Sequence, residues 1–225
     1  MTYEEKLQEA EAIMRSALKL GKPIVAYSGG KDGAVVAHLV NKAVQGVDMI
    51  CELSYYFPEQ IEDVRLFAKE QNWNVHWTDS LSKDWLANNP KFLFASDAAI
   101  RSRSFSIRHQ KAMKKKALEI GATVTFTGRR TEENFVPKAI YDTKKNGWQC
   151  HPLRRWREAD IWRYFKENDM RIPWIYSTPF APLSGNSPFY SLSKKLLGND
   201  LDKCWDIIRR TSPRQTFDQI KFIEK

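Results

Sequence analysis

Cysteine is scarce in this chain, and long apolar runs are missing. The 225 residues include three cysteines, Cys51, Cys150 and Cys204, whose odd number and wide spacing predict neither a disulfide framework nor a CxxC-type metal or iron–sulfur site. No stretch reaches the ~18 apolar residues of a membrane span, and the first residues, MTYEEKLQEAEAIM, are acidic where a signal peptide is basic. We therefore expect a soluble, cytoplasmic protein without a membrane partner or an iron–sulfur cluster.

Acidic residues are scarce in one region. Residues 101–157 contain 15 Lys and Arg against 4 Asp and Glu, and they account for the net charge of +9 of the whole chain. A local excess predicts a local anionic partner, either the ligand of a nucleotide site or nucleic acid bound through residues 101–157; a solvated basic face is the alternative. The longest run of cations without an acid comprises Arg101, Arg103, Arg108, Lys111, Lys114, Lys115 and Lys116.

The apolar pattern predicts strands and helices in alternation. Strands are predicted at 23–27, 48–53, 74–77 and 122–128, and helices at 2–20, 34–44, 59–72, 107–120 and 157–168. This order is typical of an open, mainly parallel α/β sheet with helices on both faces. An irregular insertion is predicted at 80–107 and a hairpin turn at 145–147. We expect an α/β domain over 1–180 and a loop-rich extension over 181–225, with a helix at 201–210.

The sequence SGGKDG, residues 28–33, lies between the first predicted strand, which ends at Tyr27, and a helix. Adjacent Gly29 and Gly30 let backbone N–H groups approach an anion, and the start of a helix supplies further donors. Lys31 adds a mobile positive charge. The segment therefore predicts a phosphate-binding loop at the carboxyl end of a strand, where open α/β sheets bind ligands, with a plain polar turn as the alternative. It is not a Walker A loop, because GxxxxGK[ST] is absent.

Four elements in order resemble a known family. SGGKDG resembles the PP-loop of the ATP pyrophosphatases, whose usual form is SGGKDS. The segments YYFPEQIEDV (55–64), GRRTEEN (128–134) and HPLRRWREADIW (151–162) are similar to elements of the phosphoadenosine phosphosulfate reductase branch of that superfamily. The resemblance covers about residues 22–180 and implies a Rossmann-like PP-loop fold, of the adenine nucleotide alpha hydrolase type, with an adenine-nucleotide site.

The resemblance also implies the residues of that site. They are Tyr27, Ser28, Gly29, Gly30, Lys31, Asp32, Gly33, Leu53, Ser54, Gly128, Arg129, Arg130 and Glu132. Lys31, Asp32 and Arg129 are implied as catalytic. The backbone near Leu53 and Ser54 is expected to face the adenine ring.

The basic and acidic side chains after residue 128 have implied roles of their own. Arg129 and Arg130 would reach the anionic groups of the nucleotide, since a planar guanidinium binds such groups at two points. A solvated turn pair is the alternative for them. Glu132 would orient an arginine or help to hold Mg²⁺. No metal ligand is otherwise assigned.

Two activities follow from the resemblance. In the first, the protein binds ATP with Mg²⁺, cleaves it between the α- and β-phosphates, and transfers AMP to an acceptor that the sequence does not identify. In the second, it binds or reduces phosphoadenosine phosphosulfate. A nucleic-acid-binding or modification accessory protein is a third interpretation, and a homodimer is a further expectation.

Departures from the family pattern weigh against reduction. Position 33 is Gly where Ser is usual, and both the Glu-Cys-Gly-[IL]-His nucleophile and the paired cysteines of iron–sulfur relatives are missing. Cys204 lies among apolar residues at helical spacing and is predicted to be a core residue. The first activity is therefore favoured.

Histidine and tryptophan carry weaker signals. His38 is predicted to be structural. His109 and His151 lie in the basic region, where contact with phosphate and a plain surface position are both open. Trp156 and Trp162 are predicted to serve packing.

Overall fold

Strands and helices alternate along the described part of the chain. In the computed structural model this part comprises residues 1–52, 58–78, 111–132, 138–144 and 147–177. The helices are α1 (Tyr3–Leu18), α2 (Lys31–Ala43), α3 (Pro58–Glu70), α4 (Met113–Glu119) and α5 (Glu158–Glu167), with a 3-10 turn at Trp174–Ser177. The strands are β1 (Pro23–Tyr27), β2 (Asp48–Glu52), β3 (Asn74–Thr78), β4 (Val124–Phe126), β5 (Ile140–Asp142) and β6 (Trp148–Cys150).

The six strands form one sheet in the order β3-β2-β1-β4-β6-β5. All neighbours pair in parallel except β5 and β6, which are antiparallel. The chain runs from β1 outward to β3 and then returns to the other side of β1 with β4. The strand order therefore reverses between β1 and β4, the position where open α/β sheets bind their ligands.

Both faces of the central strand are covered. Ile24 and Val25 point to opposite faces, since side chains alternate along a strand, and each is fully buried. On the face of Ile24, an apolar cluster with Ile50 packs against Met113 and other residues of the α4 region. On the opposite face, the Tyr27 ring contacts Phe67 of α3 at 6.4 Å between centroids. This arrangement confirms the predicted mainly parallel sheet with helices on both faces.

Aromatic packing connects α1 with α5, and α1 is capped at its start. Thr2 and Glu5 form the predicted capping box at the start of α1. Tyr3 and Trp156 meet edge to face with centroids 5.7 Å apart, and Trp156 lies at the same distance from Tyr164 of α5. Trp156 is 1% exposed, in agreement with the predicted packing role.

The chain divides into two compact units. The first comprises Met1–Glu52, Glu62–Thr78 and Met113–Pro173 and contains the whole sheet. The second comprises Leu53–Ile61, Asp79–Ala112 and Trp174–Lys225.

Several sequence expectations lie outside the described residues. They are the insertion at 80–107, the boundary between 180 and 181, the helix at 201–210 and most of the turn at 145–147. Within the described part, no helix is both long and apolar enough to cross a lipid bilayer.

Candidate functional site

The predicted phosphate loop is short and leads directly into a helix. Ser28 follows β1, Gly29 adopts a positive φ of 74°, and Gly30 is the extended N-cap of α2. The helix begins at Lys31, three residues earlier than predicted, because the KDG portion of the motif forms its first turn. An α-helix leaves its first N–H groups without an intrahelical acceptor, and Gly30 has no side chain to cap them. This geometry suits a bound anion.

Gly128 brings the end of β4 against this loop. A Cβ atom built at Gly128 would lie 2.7 Å from the main-chain carbonyl carbon of Asp32, closer than real Cβ contacts. A Cβ at Gly33 would lie 3.0 Å from the Tyr27 ring, so the Gly that replaces the family's usual Ser fits close against the strand. The two loops at the sheet reversal point are therefore in direct contact, and residue 128 has to be glycine.

Five charged residues are linked in a ring of contacts around the start of α2, which we call the charge ring. Its members are Lys31, Asp32, Arg130, Glu132 and Glu158. Lys31 Nζ lies 3.1 Å from Asp32 Oδ2 and 3.6 Å from Glu158 Oε1. Arg130 Nε donates to Asp32 Oδ1 at 2.6 Å, and its Nη1 donates to Glu132 Oε2 at 2.5 Å. The backbone N–H of Glu158 closes the ring by donating to Glu132 Oε2 at 2.9 Å.

The structure separates the two arginines that the sequence treats alike. Arg130 is 1% exposed and donates hydrogen bonds to Asp32 and Glu132, so it is not part of a solvated turn pair. Arg129 is exposed. Of the two roles that the sequence leaves open for Glu132, the structure contains the arginine contact. Direct contact of either arginine with a nucleotide stays a prediction.

His151 lies beside the site but is not a surface residue. It follows β6, is 1% exposed, and its Nδ1 lies 2.6 Å from Oγ1 of Thr127, which follows β4. Burial, with Arg129 and Arg154 nearby, lowers the pKa of His151 to about 4, so the ring is neutral at pH 7. The surface interpretation is wrong for this residue.

His38 is structural, as predicted. It lies within hydrogen-bond distance of the Tyr164 hydroxyl, 2.8 Å from Nδ1 to oxygen. Burial, together with Lys42, lowers its pKa to about 4.

The basic region is described only in part. Among its lysines on α4, Lys116 pairs with Glu119 at 2.8 Å and Lys115 lies 3.9 Å from the same carboxylate with its side chain 81% exposed. These contacts are typical of a solvated helix face. The remaining candidates that fall outside the described residues are Leu53, Ser54, Arg101, Arg103, Arg108, His109 and Cys204. Nucleic-acid binding through 101–157 stays a prediction.

Glu158 is the residue of the charge ring that the sequence analysis missed. It lies in the HPLRRWREADIW segment, and the sequence alone assigns it no role. Its local signal, an acid in the first turn of a helix, is too common to indicate a contact with Lys31.

Comparison with known protein families identifies the family of this chain. Residues 22–185 match the phosphoadenosine phosphosulfate reductase domain. The chain belongs to this family. The phosphoadenosine phosphosulfate reductase domain therefore includes the sheet, the loop at 28–33 and the charge ring, and the predicted PP-loop family and fold are confirmed.

Individual relatives are distant. An uncharacterized protein of Methanocaldococcus jannaschii is 22% identical over 201 residues, which cover 82% of this chain but 47% of that protein, so the chain spans about half of its length. Sulfate adenylyltransferase subunit 2 of Shewanella loihica is 25% identical over 81% of this chain and 71% of its own length. The crystal structure of phosphoadenylyl-sulfate reductase from Candida auris, a phosphate complex, has a TM-score of 0.57 at 17% identity, covering 75% of this chain and 84% of its own. At that identity the likeness concerns the fold.

Proposed function

We propose that this domain binds ATP and cleaves it between the α- and β-phosphates, transferring AMP to an acceptor and releasing pyrophosphate. The observation that carries the proposal is the junction of a glycine loop, a helix N-terminus and Gly128 at the point where the strand order reverses. The similarity to sulfate adenylyltransferase subunit 2 supports adenylyl transfer as the reaction.

The loop would grip the end of the nucleotide that becomes the leaving group. In this proposal the N–H groups of Lys31, Asp32 and Gly33, in the first turn and at the positive end of α2, donate to the phosphates that become pyrophosphate. Lys31 Nζ adds a positively charged group to the same region. Since pyrophosphate gains negative charge as its bond to the α-phosphorus breaks, these groups bind the transition state more tightly than ATP.

The chemical step needs no covalent intermediate on the protein. A lone pair of the acceptor attacks the α-phosphorus, the bond from that phosphorus to the α–β bridging oxygen breaks, and pyrophosphate leaves with the electron pair. The acceptor loses its proton to solvent. The residues of the chain orient the phosphates and stabilise charge.

Arg130 acts in this proposal as a positioning residue. Its guanidinium holds Asp32 and thereby fixes the first turn of α2, while the exposed Arg129 supplies a cation for the nucleotide. The predicted adenine contacts at Leu53 and Ser54 remain part of the proposal.

Mg²⁺ enters as part of the substrate MgATP. Among the described residues, no group of three or more His, Cys, Asp and Glu is placed to hold a metal ion. Asp32 and Glu132 already accept from Lys31, Arg130 and the N–H of Glu158. These residues do not fit a resident metal site, so no step is assigned to one.

Reduction through a thiol has less support. Cys51 and Cys150 are fully buried, and burial raises the pKa of Cys150 to about 12, which disfavours the reactive thiolate. Phosphoadenosine phosphosulfate remains the second candidate ligand, favoured by the family that the chain matches. Calorimetric titration with ATP and with the sulfonucleotide separates the two, and tighter binding of the sulfonucleotide would reverse their order.

The experiment that tests the proposal supplies ATP labelled in its β- and γ-phosphates and measures labelled pyrophosphate, with water standing in for the acceptor. Lys31→Ala is expected to lower release by about 100- to 1,000-fold, the usual effect of removing one transition-state contact. Lys42→Ala is the matched control, because Lys42 lies on the same helix and contacts Asn168 instead. Unchanged release in Lys31→Ala, or release of single phosphate, would contradict the proposal.

A further inference from the structure

The charge ring contains more negative than positive charge. Two cations, Lys31 and Arg130, face three carboxylates, those of Asp32, Glu132 and Glu158. An anion that approaches the loop therefore meets a Lys31 already neutralised by acids. Lys31 can offer its full positive charge to a phosphate only when one of these carboxylates moves away.

The three carboxylates differ in how firmly they are held. Asp32 is 17% exposed and pairs with both cations at 3.1 and 2.6 Å. Glu132 accepts from the Arg130 guanidinium and from a backbone N–H. Glu158 has a side chain 58% exposed, and its contact with Lys31 is the longest of the ring at 3.6 Å. The Glu158 carboxylate is thus the least tightly held.

The main chain of Glu158 is anchored even though its side chain is not. Its N–H donates to Glu132, and the residue begins α5, which the buried Ile161, Tyr164 and Phe165 pack into the protein. A side-chain rotation of Glu158 releases Lys31 without moving the helix.

We propose that Glu158 is a releasable counter-ion of the phosphate loop that selects for metal-bound phosphate chains. In the nucleotide-free protein it neutralises Lys31, and on binding it turns toward solvent. Its charge repels every anionic ligand, and it repels a metal-free phosphate chain more than one whose charge Mg²⁺ has partly cancelled. This inference rests on the proposed phosphate-binding role of the loop.

The test compares inorganic pyrophosphate binding, with EDTA and with excess Mg²⁺, in three proteins: the wild type, Glu158→Gln and Glu4→Gln. Glu4 is a matched control because it also lies in the first turn of a helix, is 62% exposed and pairs with an arginine, Arg163, outside the ring. Glu158→Gln is expected to bind metal-free pyrophosphate about two- to fivefold tighter, the range for losing one exposed charge contact. The gain should be smaller with Mg²⁺ and should shrink as salt is added.

Each other outcome overturns the inference in a recognisable way. Equal affinities in Glu158→Gln and wild type, or an equal gain in Glu4→Gln, would exclude a specific counter-ion role. Weaker binding of Glu158→Gln in Mg²⁺ alone would make Glu158 a metal ligand instead. If the wild type binds neither pyrophosphate nor ATP, both this inference and the proposed function fail. Thermal unfolding of the three proteins checks that all are folded.

Discussion

Just after β4, the backbone at Gly128 lies too close to the SGGKDG loop for a side chain to fit. The atoms nearest to a Cβ added at Gly128 are the main-chain carbonyl and the Cβ of Asp32. The end of a flexible side chain could move aside, but these atoms are fixed by the backbone. The glycine serves the geometry of the loop, whatever the neighbouring arginines bind.

Gly128→Ala is therefore expected to displace the first turn of α2. ATP affinity should fall by at least about tenfold, and the free energy of unfolding should drop by about 1–3 kcal/mol, as for other overpacked sites. Calorimetric titration and urea unfolding measure the two effects. Gly46→Ala is the control. The positive φ of 69° at Gly46 strains an alanine, but no atom lies within 4 Å of the added Cβ. Similar loss of ATP affinity in both variants would contradict the role of the close contact.

At the scale of elements, the first turn of α5 contains an acid with a structural role, Asp160. Asp160 Oδ2 accepts from Lys6 Nζ at 2.6 Å and from the Arg157 N–H at 2.6 Å. Burial alone would raise the pKa of the Asp160 carboxyl, but these hydrogen bonds lower that pKa below its ordinary value. The residue caps α5 and ties it to α1, and so fixes the helix that presents Glu158.

Asp160→Asn keeps an acceptor for the cap but loses the ion pair with Lys6. We expect the free energy of unfolding to fall by about 1–3 kcal/mol, since the pair is largely buried. ATP affinity should change by less than about twofold, because Asp160 is not in the charge ring. Urea unfolding and calorimetry measure both, and Lys6→Met completes a double-mutant cycle. A larger loss of affinity than of stability would make Asp160 part of the binding site.

At the scale of the whole molecule, the partly buried His38 and the buried His151 make stability depend on pH. The pKa of His38 and that of His151 are each about 4 in the folded protein, against about 6.5 when unfolded. Between those values the unfolded chain binds more protons, so stability is present above pH 6.5 and is lost as pH falls toward 4.

The free energy of unfolding should therefore be lower at pH 5.5 than at pH 7.5, by about 1 kcal/mol for each histidine. Carboxylates contribute little in this window, because it lies above their ordinary pKa. Urea unfolding at the two pH values is the measurement, and the variants His38→Gln and His151→Gln should each reduce the difference. Equal stability of the wild type at both values would show that neither ring is held neutral.

Local sequence patterns predict the bounds of helices and strands well where those bounds depend on neighbouring residues. The β-branched and apolar run at 23–27 forms β1 over the predicted residues, and the Thr2–Glu5 pair forms a capping box. Helix α2 begins three residues before its predicted start, because a glycine-rich turn and the first turn of a glycine-capped helix have the same sequence signal. For His151 the sequence leaves both phosphate contact and a surface position open, since alternation in sequence does not reveal that β6 pairs with β4 and that the residue after it is buried.

The sequence by itself indicated the family, through four motifs that resemble it in order, and the parallel α/β architecture, through short-range periodicity. Adjacent glycines after the first strand located the SGGKDG loop. The tertiary structure decided which charges meet. Arg130 and Asp32 are 98 residues apart, and Glu158 reaches Lys31 from a different helix. Only the packing of β1, β4 and α5 brings those groups within a few ångströms, and electrostatic pairing depends on that distance and not on spacing along the chain.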